Sequence, residues 1–321
     1  MNFAVALVAL AVEWLVGYPG LLQRYAGHPV QWMGRLIDWS DTSVNSPEES
    51  PATRKAAGIL TLVLLVGGTF LITSTLSIIL RTIPFGWIVE GILVSSLLAG
   101  KQLRTAVYDV ASALGESLGA GRAAVAHIVG RDTTQLDDAG VAGAAVETLA
   151  ENTSDGLVAP LFYLLIFGLP GIAVYKAINT ADSMIGHRSA RYADFGWAAA
   201  RLDDVANWIP ARLTALLFVA ASYVTPGAQP GRAWQTARSD APKHRSPNAG
   251  WPEAAMAGAL GLSLGGPRAY DGETVDLPKM GNGRGDLDAL DILSALKLYE
   301  RAMIICAVVA CIGFGIAVLL S

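Results

Sequence analysis

Charge is scarce in this chain. Only 16% of its 321 residues are Asp, Glu, Lys or Arg, against roughly 25% in a soluble domain. With 53% hydrophobic residues and a formal net charge of −4, the composition is that of a membrane protein and offers nothing to nucleic acid. Cysteine is scarcer still. Cys306 and Cys311 both lie in an apolar stretch, without CxxC spacing or a third ligand nearby. They read as small packing residues and leave the redox compartment open. The four histidines, His28, His127, His187 and His244, lack metal-ligand spacing, and there is no GxSxG elbow, so neither zinc chemistry nor serine hydrolysis is supported. No internal repeat of useful length is present, which argues against inverted-repeat transporters. Residues 1–16 are apolar but lack a basic n-region and a cleavage site, and they contain Glu13. They read as a retained helix.

What the chain does have is long hydrophobic runs. Residues 56–80 carry no charge. At about 1.5 Å per residue they cross a hydrocarbon core of about 30 Å. Residues 82–100, broken only by Glu90, and 302–321 are further spans, with 2–16 a shorter one. Residues 157–177 are interrupted by GLPG, and 213–224 are short for a span, so both are read as spanning, re-entrant or buried. The polar connections are 23–55, 101–155, 178–212 and 231–301. The positive-inside rule puts the basic ones in the cytoplasm. If neither ambiguous stretch spans, all four share that side, which a single active site favours. The expectation is an all-α polytopic membrane protein, one domain over 1–321, with four to six membrane segments and a cytoplasmic helical catalytic region. Residues 40–51 (SDTSVNSPEESP) read as a loop.

The richest polar stretch runs from 151 to 212, where charged groups sit beside apolar runs and so mark a site. Glu147, Glu151 and Asp155 are spaced by four and form an acidic stripe that wants a cation, either arginine or Mg²⁺. The plainer alternative is a solvated acidic face. Asn179, Asp182, Ser183 and Gly186 form a polar stripe on one helix face, with a helix-end cap region as the alternative. Arg201, Asp203, Asp204, Asn207 and Arg212 form a third cluster. Arg201 and Asp204 can pair at i,i+3, and Asp203–Asp204 could hold a metal. A structural ion-pair network would explain the same pattern. Arg131 and the string Lys243-His244-Arg245-Ser246-Pro247-Asn248 supply basic groups for phosphate or carboxylate. Gly281-Asn282-Gly283-Arg284-Gly285 precedes a helix expected from about Leu287. It lacks GK[ST] and a preceding strand, so it reads as a flexible loop.

Several strings together resemble a known family. They are HPVQWMGRLI (28–37), GRDT (130–133), AAVETLAENTSDGLVAPLF (144–162), NTADSM (179–184), FGWAAARLDDVANWIPARL (195–213), HRSPNAGWPEAAMAGALG (244–261) and LGGPRAY (264–270). In this order they resemble the cobalamin-biosynthesis CbiB/CobD family, the adenosylcobinamide-phosphate synthases. The resemblance implies an ATP-dependent amide ligase of the cell membrane with its active site facing the cytoplasm. Such an enzyme joins (R)-1-amino-2-propanol phosphate to the f-side-chain carboxylate of adenosylcobyric acid. The partners implied are the corrinoid, the phosphorylated amine, membrane lipid and other late-pathway proteins, with no nucleic acid. A site for ATP, Mg²⁺ and a phosphorylated amine needs acids for metal and arginines for phosphate. Glu151, Asp155, Asp203 and Asp204 are the candidates for Mg²⁺ or amine handling, and His187 or His244 for the base. Arg131, Asn152, Asn179, Asp182, Arg188, Arg201, Asn207, Lys243 and Asn248 are candidates for substrate and phosphate. A transporter and a non-catalytic membrane regulator similar to the AmpE proteins are the alternatives. The polar clusters lie outside the clear spans, which speaks against a transporter.

Overall fold

A computed structural model of the chain describes residues 1–25, 27–130, 132–266, 268–270, 273–275 and 278–320. The fold is helical, as expected. In chain order the first helices are α1 (Asn2–Leu15), α2 (Gly20–Tyr25), α3 (Pro29–Val44), α4 (Pro51–Arg81) and α5 (Gly86–Ser95). Then come α6 (Gly100–Glu116), α7 (Leu118–Val125), α8 (Asp138–Thr153), a π-helical turn (Ser154–Val158) and α9 (Ala159–Ile185). The last are α10 (Trp197–Ala206), α11 (Trp208–Ser222), α12 (Pro230–Asp240), α13 (Gly250–Leu260) and α14 (Ala289–Leu319). Two short antiparallel ribbons lie between α13 and α14. β1 (Leu264–Gly265) pairs with β4 (Lys279–Met280), and β2 (Arg268–Tyr270) pairs with β3 (Glu273–Val275). The chain divides into two compact units. The first is Met1–Ala99, Ala159–Asn207 and Ala310–Ser321; the second is Gly100–Val158 and Trp208–Val309.

In the first unit, α4 is the clearest membrane span. Ser50 caps it by accepting from the Thr53 N–H at 3.2 Å, and Pro51 opens it. Its 31 residues make about 46 Å, more than a bilayer core needs. Ile59, Leu60, Val63, Leu64, Phe70, Leu71 and Ile72 are exposed along it, as a lipid-facing helix requires. Residues 82–100, expected as a span, contain instead the 10-residue α5, about 15 Å long and too short to cross alone. The acid that breaks that run, Glu90, is buried and accepts from Ser77 Oγ at 3.1 Å. At the polar end, Ile37, Leu62, Leu65, Ala177, Ala181, Ile185, Phe195 and Ala199 form a core where α3, α4, α9 and α10 meet.

Residues 40–44 are helical where a loop was expected. Asp41 is buried there, and it holds Arg191 through Nε at 3.0 Å and Nη2 at 2.7 Å. Tyr192 Oη and Asn45 Nδ2 donate to the same carboxylate. This ion pair ties residues 187–196 to α3, and the tertiary bonds outweigh the weak helix propensity of the Ser-Asp-Thr-Ser run.

The helix α9 is a hairpin. Gly168 has φ 68° and ψ −155°, a combination essentially closed to residues with a Cβ. The Tyr163 and Tyr175 rings stack with centroids 5.2 Å apart. Twelve residues of straight helix would hold them about 18 Å apart. Ala159 and Tyr175 share a small core, and a Cβ on Gly171 would lie 2.5 Å from Tyr163 O. The arm 159–167 therefore descends and 169–185 returns. By length and apolarity alone, residues 138–185 would count as a span, but 159–167 and 169–185 fold back on each other and do not form one straight crossing helix. Asn2 Nδ2 donates to Leu165 O at 3.1 Å, next to the break. That bond satisfies backbone that hydrocarbon would leave bare.

The second unit packs on small residues. Ala254, Ala255, Ala257 and Ala259 of α13 are fully buried, which lets helices approach closely. Tyr299 Oη donates to Gly100 O at 2.8 Å, and Arg104 Nε pairs with Glu300 at 2.6 Å. Helix α14 begins at Ala289, two residues after the expected start, and is long and apolar enough to cross a membrane. The 15 residues of α11 make about 22 Å, short of a crossing on their own. Helices α10 and α11 together are long and apolar enough to cross, but they are bent by 45° at their junction, and the three charges of α10, Arg201, Asp203 and Asp204, argue against placing that helix in hydrocarbon.

Candidate functional site

Two polar stripes meet in the first unit. On the returning arm of α9, Lys176, Asn179, Thr180 and Ser183 stand at i, i+3, i+4 and i+7. On α3, Gln31, Arg35 and Asp38 stand at i, i+4 and i+7. Together with Val30, Gly34 and Met184 they line a cavity of about 650 Å³, within the range of small-molecule sites. His28 caps α3. Its Nδ1 accepts from the Val30 N–H at 3.2 Å, and Gln31 Oε1 accepts from its N–H at 2.9 Å. Burial holds the His28 ring below the usual imidazole range, the Lys176 charge adds to that, and a bond donated by the ring to the Ser96 carbonyl opposes it. The ring therefore stays neutral as a cap acceptor.

Beside this cavity sits a buried carboxylate. Asp203 Oδ2 accepts from Asn207 Nδ2 at 2.9 Å, and Asn207 Oδ1 accepts from Tyr175 Oη at 2.9 Å. Tyr163 Oη donates to Ala206 O at 3.0 Å. The Asn179 amide bears on Asp203 from farther away, and its own Oδ1 accepts from Lys176 Nζ at 3.2 Å. Asp203 Oδ1 is buried with no partner at hydrogen-bonding distance. Burial, above all, pushes the Asp203 carboxyl up to about 7. The neighbouring Asp182 and, more weakly, Asp204 push the same way, against the amides of Asn207 and Asn179. A buried acid that titrates near neutrality beside a cavity has the properties of a proton acceptor.

The other predicted residues of this unit are more exposed. Arg201 Nη1 and Asp204 Oδ2 are 3.9 Å apart, with Arg201 64% exposed; a pair of that kind contributes little. Burial raises the Asp204 carboxyl, while Arg201 and Arg188 oppose it. The exposed His187 and Arg188 lie in the segment held by Asp41 and Arg191. Arg131 lies outside the described residues.

The second unit holds the remaining candidates. Glu147 is buried and accepts from the Gly265 N–H at 2.6 Å. Glu151 and Asn152 are exposed at the end of α8, and Asn152 Nδ2 donates to Thr148 O. Asp155 falls in the π turn, which rotates it off the regular i,i+4 stripe. Such turns recur at functional sites. Lys243 Nζ is 2.6 Å from Asp240 Oδ1, and Asp240 Oδ2 accepts from the Gly281 N–H at 2.8 Å. Asp240 thus anchors the glycine loop and pairs with Lys243. Burial alone would raise the Asp240 carboxyl, but Lys243, the Gly281 N–H and Ser239 hold it below the usual range. His244 Nδ1 accepts from the Ser246 N–H at 3.0 Å, and Nε2 lies 3.8 Å from the buried Glu253. Asn248 Oδ1 accepts from Arg212 Nη1 at 3.4 Å.

Sequence reasoning missed Arg35, Asp38, Lys176 and Glu253. The first two stand on one helical face with Gln31 within HPVQWMGRLI, a spacing visible in advance. The lone acid in the small-residue helix α13 was also a signal. The expected Mg²⁺ set resolves into two pairs, Asp203–Asp204 in the first unit and Glu151–Asp155 in the second. Among the described residues, no group of three or more His, Cys, Asp or Glu is arranged to hold a metal. An unpartnered oxygen on Asp203 with Asp182 nearby does suit Mg²⁺, which takes one or two carboxylates plus phosphate oxygens.

These features define a polytopic helical membrane protein with a buried carboxylate network beside a polar cavity. A family model described as "CobD/Cbib protein" matches residues 6–299, and the chain belongs to that family. Relatives named "Cobalamin biosynthesis protein CobD" include one from Brucella suis, 48% identical over 94% of each chain. The one from Rhodobacter capsulatus is 46% identical over 94% of this chain and 95% of its own. The one from Rhizobium meliloti is 43% identical over 93% and 92%. No solved structure matches.

Proposed function

We propose that this protein is the ATP-dependent amide ligase of cobalamin biosynthesis. It joins (R)-1-amino-2-propanol phosphate to the f-side-chain carboxylate of adenosylcobyric acid and gives adenosylcobinamide phosphate. The carboxylate attacks the γ-phosphorus of ATP and releases ADP. The amine then attacks the acyl phosphate, the C–O bond breaks, phosphate leaves and the ammonium proton goes to a base. The observation that carries this reading is the family match over nearly the whole chain, together with a buried acid set to take a proton near neutral pH. Asp203 is the base we favour. His187 and His244 stay candidates; His244 has Nδ1 engaged and Nε2 near Glu253. Asp203 cannot both take the proton and hold the ion, so Asp182 and Asp204 would hold Mg²⁺, which would neutralise the phosphates. Glu151, Asp155 and Asp204 are proposed for metal or amine handling. Arg188, Arg201, Asn152, Asn179, Asn207 and Asn248 are proposed for substrate contacts, as is Arg131. The reading places the protein in the cell membrane with this chemistry on the cytoplasmic side.

The test is turnover by detergent-purified protein given adenosylcobyric acid, the phosphorylated amine and Mg-ATP. The expected result is a corrinoid heavier by the condensed amine, formed with ADP and only when ATP is present. Folded protein that binds the corrinoid acid yet forms no amide with phosphorylated or free amines would refute it.

A further inference from the structure

Arg212 is the most fully built cationic group that the reading above leaves without a role. It lies in the first turns of α11, and its Nη1 donates to Trp208 O at 2.6 Å and to Asn248 Oδ1 at 3.4 Å. Its Cζ is 4.2 Å from the Trp208 ring centroid and 4.8 Å from that of Trp251. Two indoles and a carbonyl of its own helix therefore fix the guanidinium in place. Nε and Nη2 donate to no described residue, and no carboxylate among the described residues pairs with Arg212. That edge, Nε–H beside Nη2–H, is the fork that arginine offers to a carboxylate. Arg191 uses the same two nitrogens on Asp41 in this protein. A half-buried guanidinium with a preset and unfilled fork is an anion site. Lys243, in the segment that carries Asn248, is already paired with Asp240 and brings no free charge to the fork. That suits a monoanion better than a phosphate dianion.

We propose that Arg212, held by Trp208 and Trp251, is the clamp for the carboxylate of the acid substrate. This rests on the ligase reading and adds the group that recognises the acid. Once the carboxylate has become an amide, the fork loses its anion, which favours product release.

The test uses full-length detergent-purified protein and measures binding without turnover. Affinity for the corrinoid acid is compared with that for a corrinoid carrying an amide on the same arm. Wild type should prefer the acid by about ten- to hundredfold, the range of a hydrogen-bonded charge pair. Arg212→Gln and Arg212→Lys should both lose that preference, since lysine keeps the charge and lacks the fork. Their KM for ATP and for the phosphorylated amine should stay as in wild type. Preference for the acid surviving in either folded variant would overturn the proposal. So would a loss confined to ATP or the amine, because the fork would then hold a phosphate. If both variants fail to fold, Arg212 is a structural residue and the proposal falls. A wild type that binds acid over amide yet forms no product refutes the ligase reading alone, and the binding comparison still reads Arg212.

Discussion

Asp203→Asn separates the electrostatic cost of the buried acid from everything else in its network. The carboxyl is raised from 3.8 to about 7. That is about three pH units at about 1.4 kcal/mol each, so up to about 4 kcal/mol. The sign follows from proton counts. Between pH 4 and 7 the folded chain holds a proton that the unfolded chain has released, so stability falls as pH rises through that window. Above pH 7 the folded state carries the full cost of a buried charge. Asparagine is neutral at every pH and keeps an oxygen to accept from Asn207. The variant should therefore melt higher than wild type at pH 8, with the gap closing towards pH 5. In a chain of this size each kcal/mol moves Tm by roughly 2 °C. The assay is thermal unfolding in one detergent with a metal chelator across pH 5–8, read as the difference between the two proteins so that other titrations cancel. A pH-independent gap, or a wild type more stable than the variant at pH 8, would refute the burial argument. The same variant should lose turnover; unchanged turnover would remove Asp203 from the mechanism.

Gly168→Ala should cost about 1–3 kcal/mol, because its backbone is closed to residues with a Cβ, and lower the Tm accordingly. A neutral result would show that the hairpin turn relaxes. In a chain with Cys306 and Cys311 replaced, Cys at position 190 and Cys at position 46 should be labelled by an impermeant thiol reagent from the same face of oriented vesicles. Labelling from opposite faces would mean that α9 crosses the membrane. Asp240→Asn should free the Gly281 loop and speed proteolysis near residues 278–285; an unchanged cleavage pattern would show that Asp240 does not hold it. The Asp240 carboxyl is held low, so its stabilisation is present above about pH 4 and lost as pH falls below that. Wild type should therefore lose more stability than Asp240→Asn on acidification to pH 3.

Much of this was legible in the chain. The uncharged run 56–80 was long and apolar enough to span, and α4 contains it. The polar stripe at 179–183 and the cluster at 203–207 share the network around Asp203, since helical periodicity places residues on faces reliably. What could not be read was which faces meet. HPVQWMGRLI shows a polar face, but nothing local says that it opposes Lys176. The GLPG interruption flagged 157–177 without deciding between a kink and a reversal. The reversal rests on Gly168, on the stacking of two tyrosines twelve residues apart and on Asn2 reaching Leu165, all long-range facts. The 40–44 segment misled because its propensity favours a loop, and the Arg191 pair that overrides it lies 150 residues away.

The paired tyrosines of the hairpin have a mechanical consequence. Tyr163 hangs from Ala206, and Tyr175 from Asn207, which in turn holds Asp203. If the hairpin dips into the bilayer, as the labelling test above would show, it is a lever whose far end is the carboxylate. Its depth is set by the thickness of the surrounding hydrocarbon, which shifts with acyl-chain length at a modest cost per ångström. A thinner or thicker host layer would then pull on those two phenol bonds. The choice of lipid or surfactant is then a variable that acts on the acidity of a residue the lipid never touches.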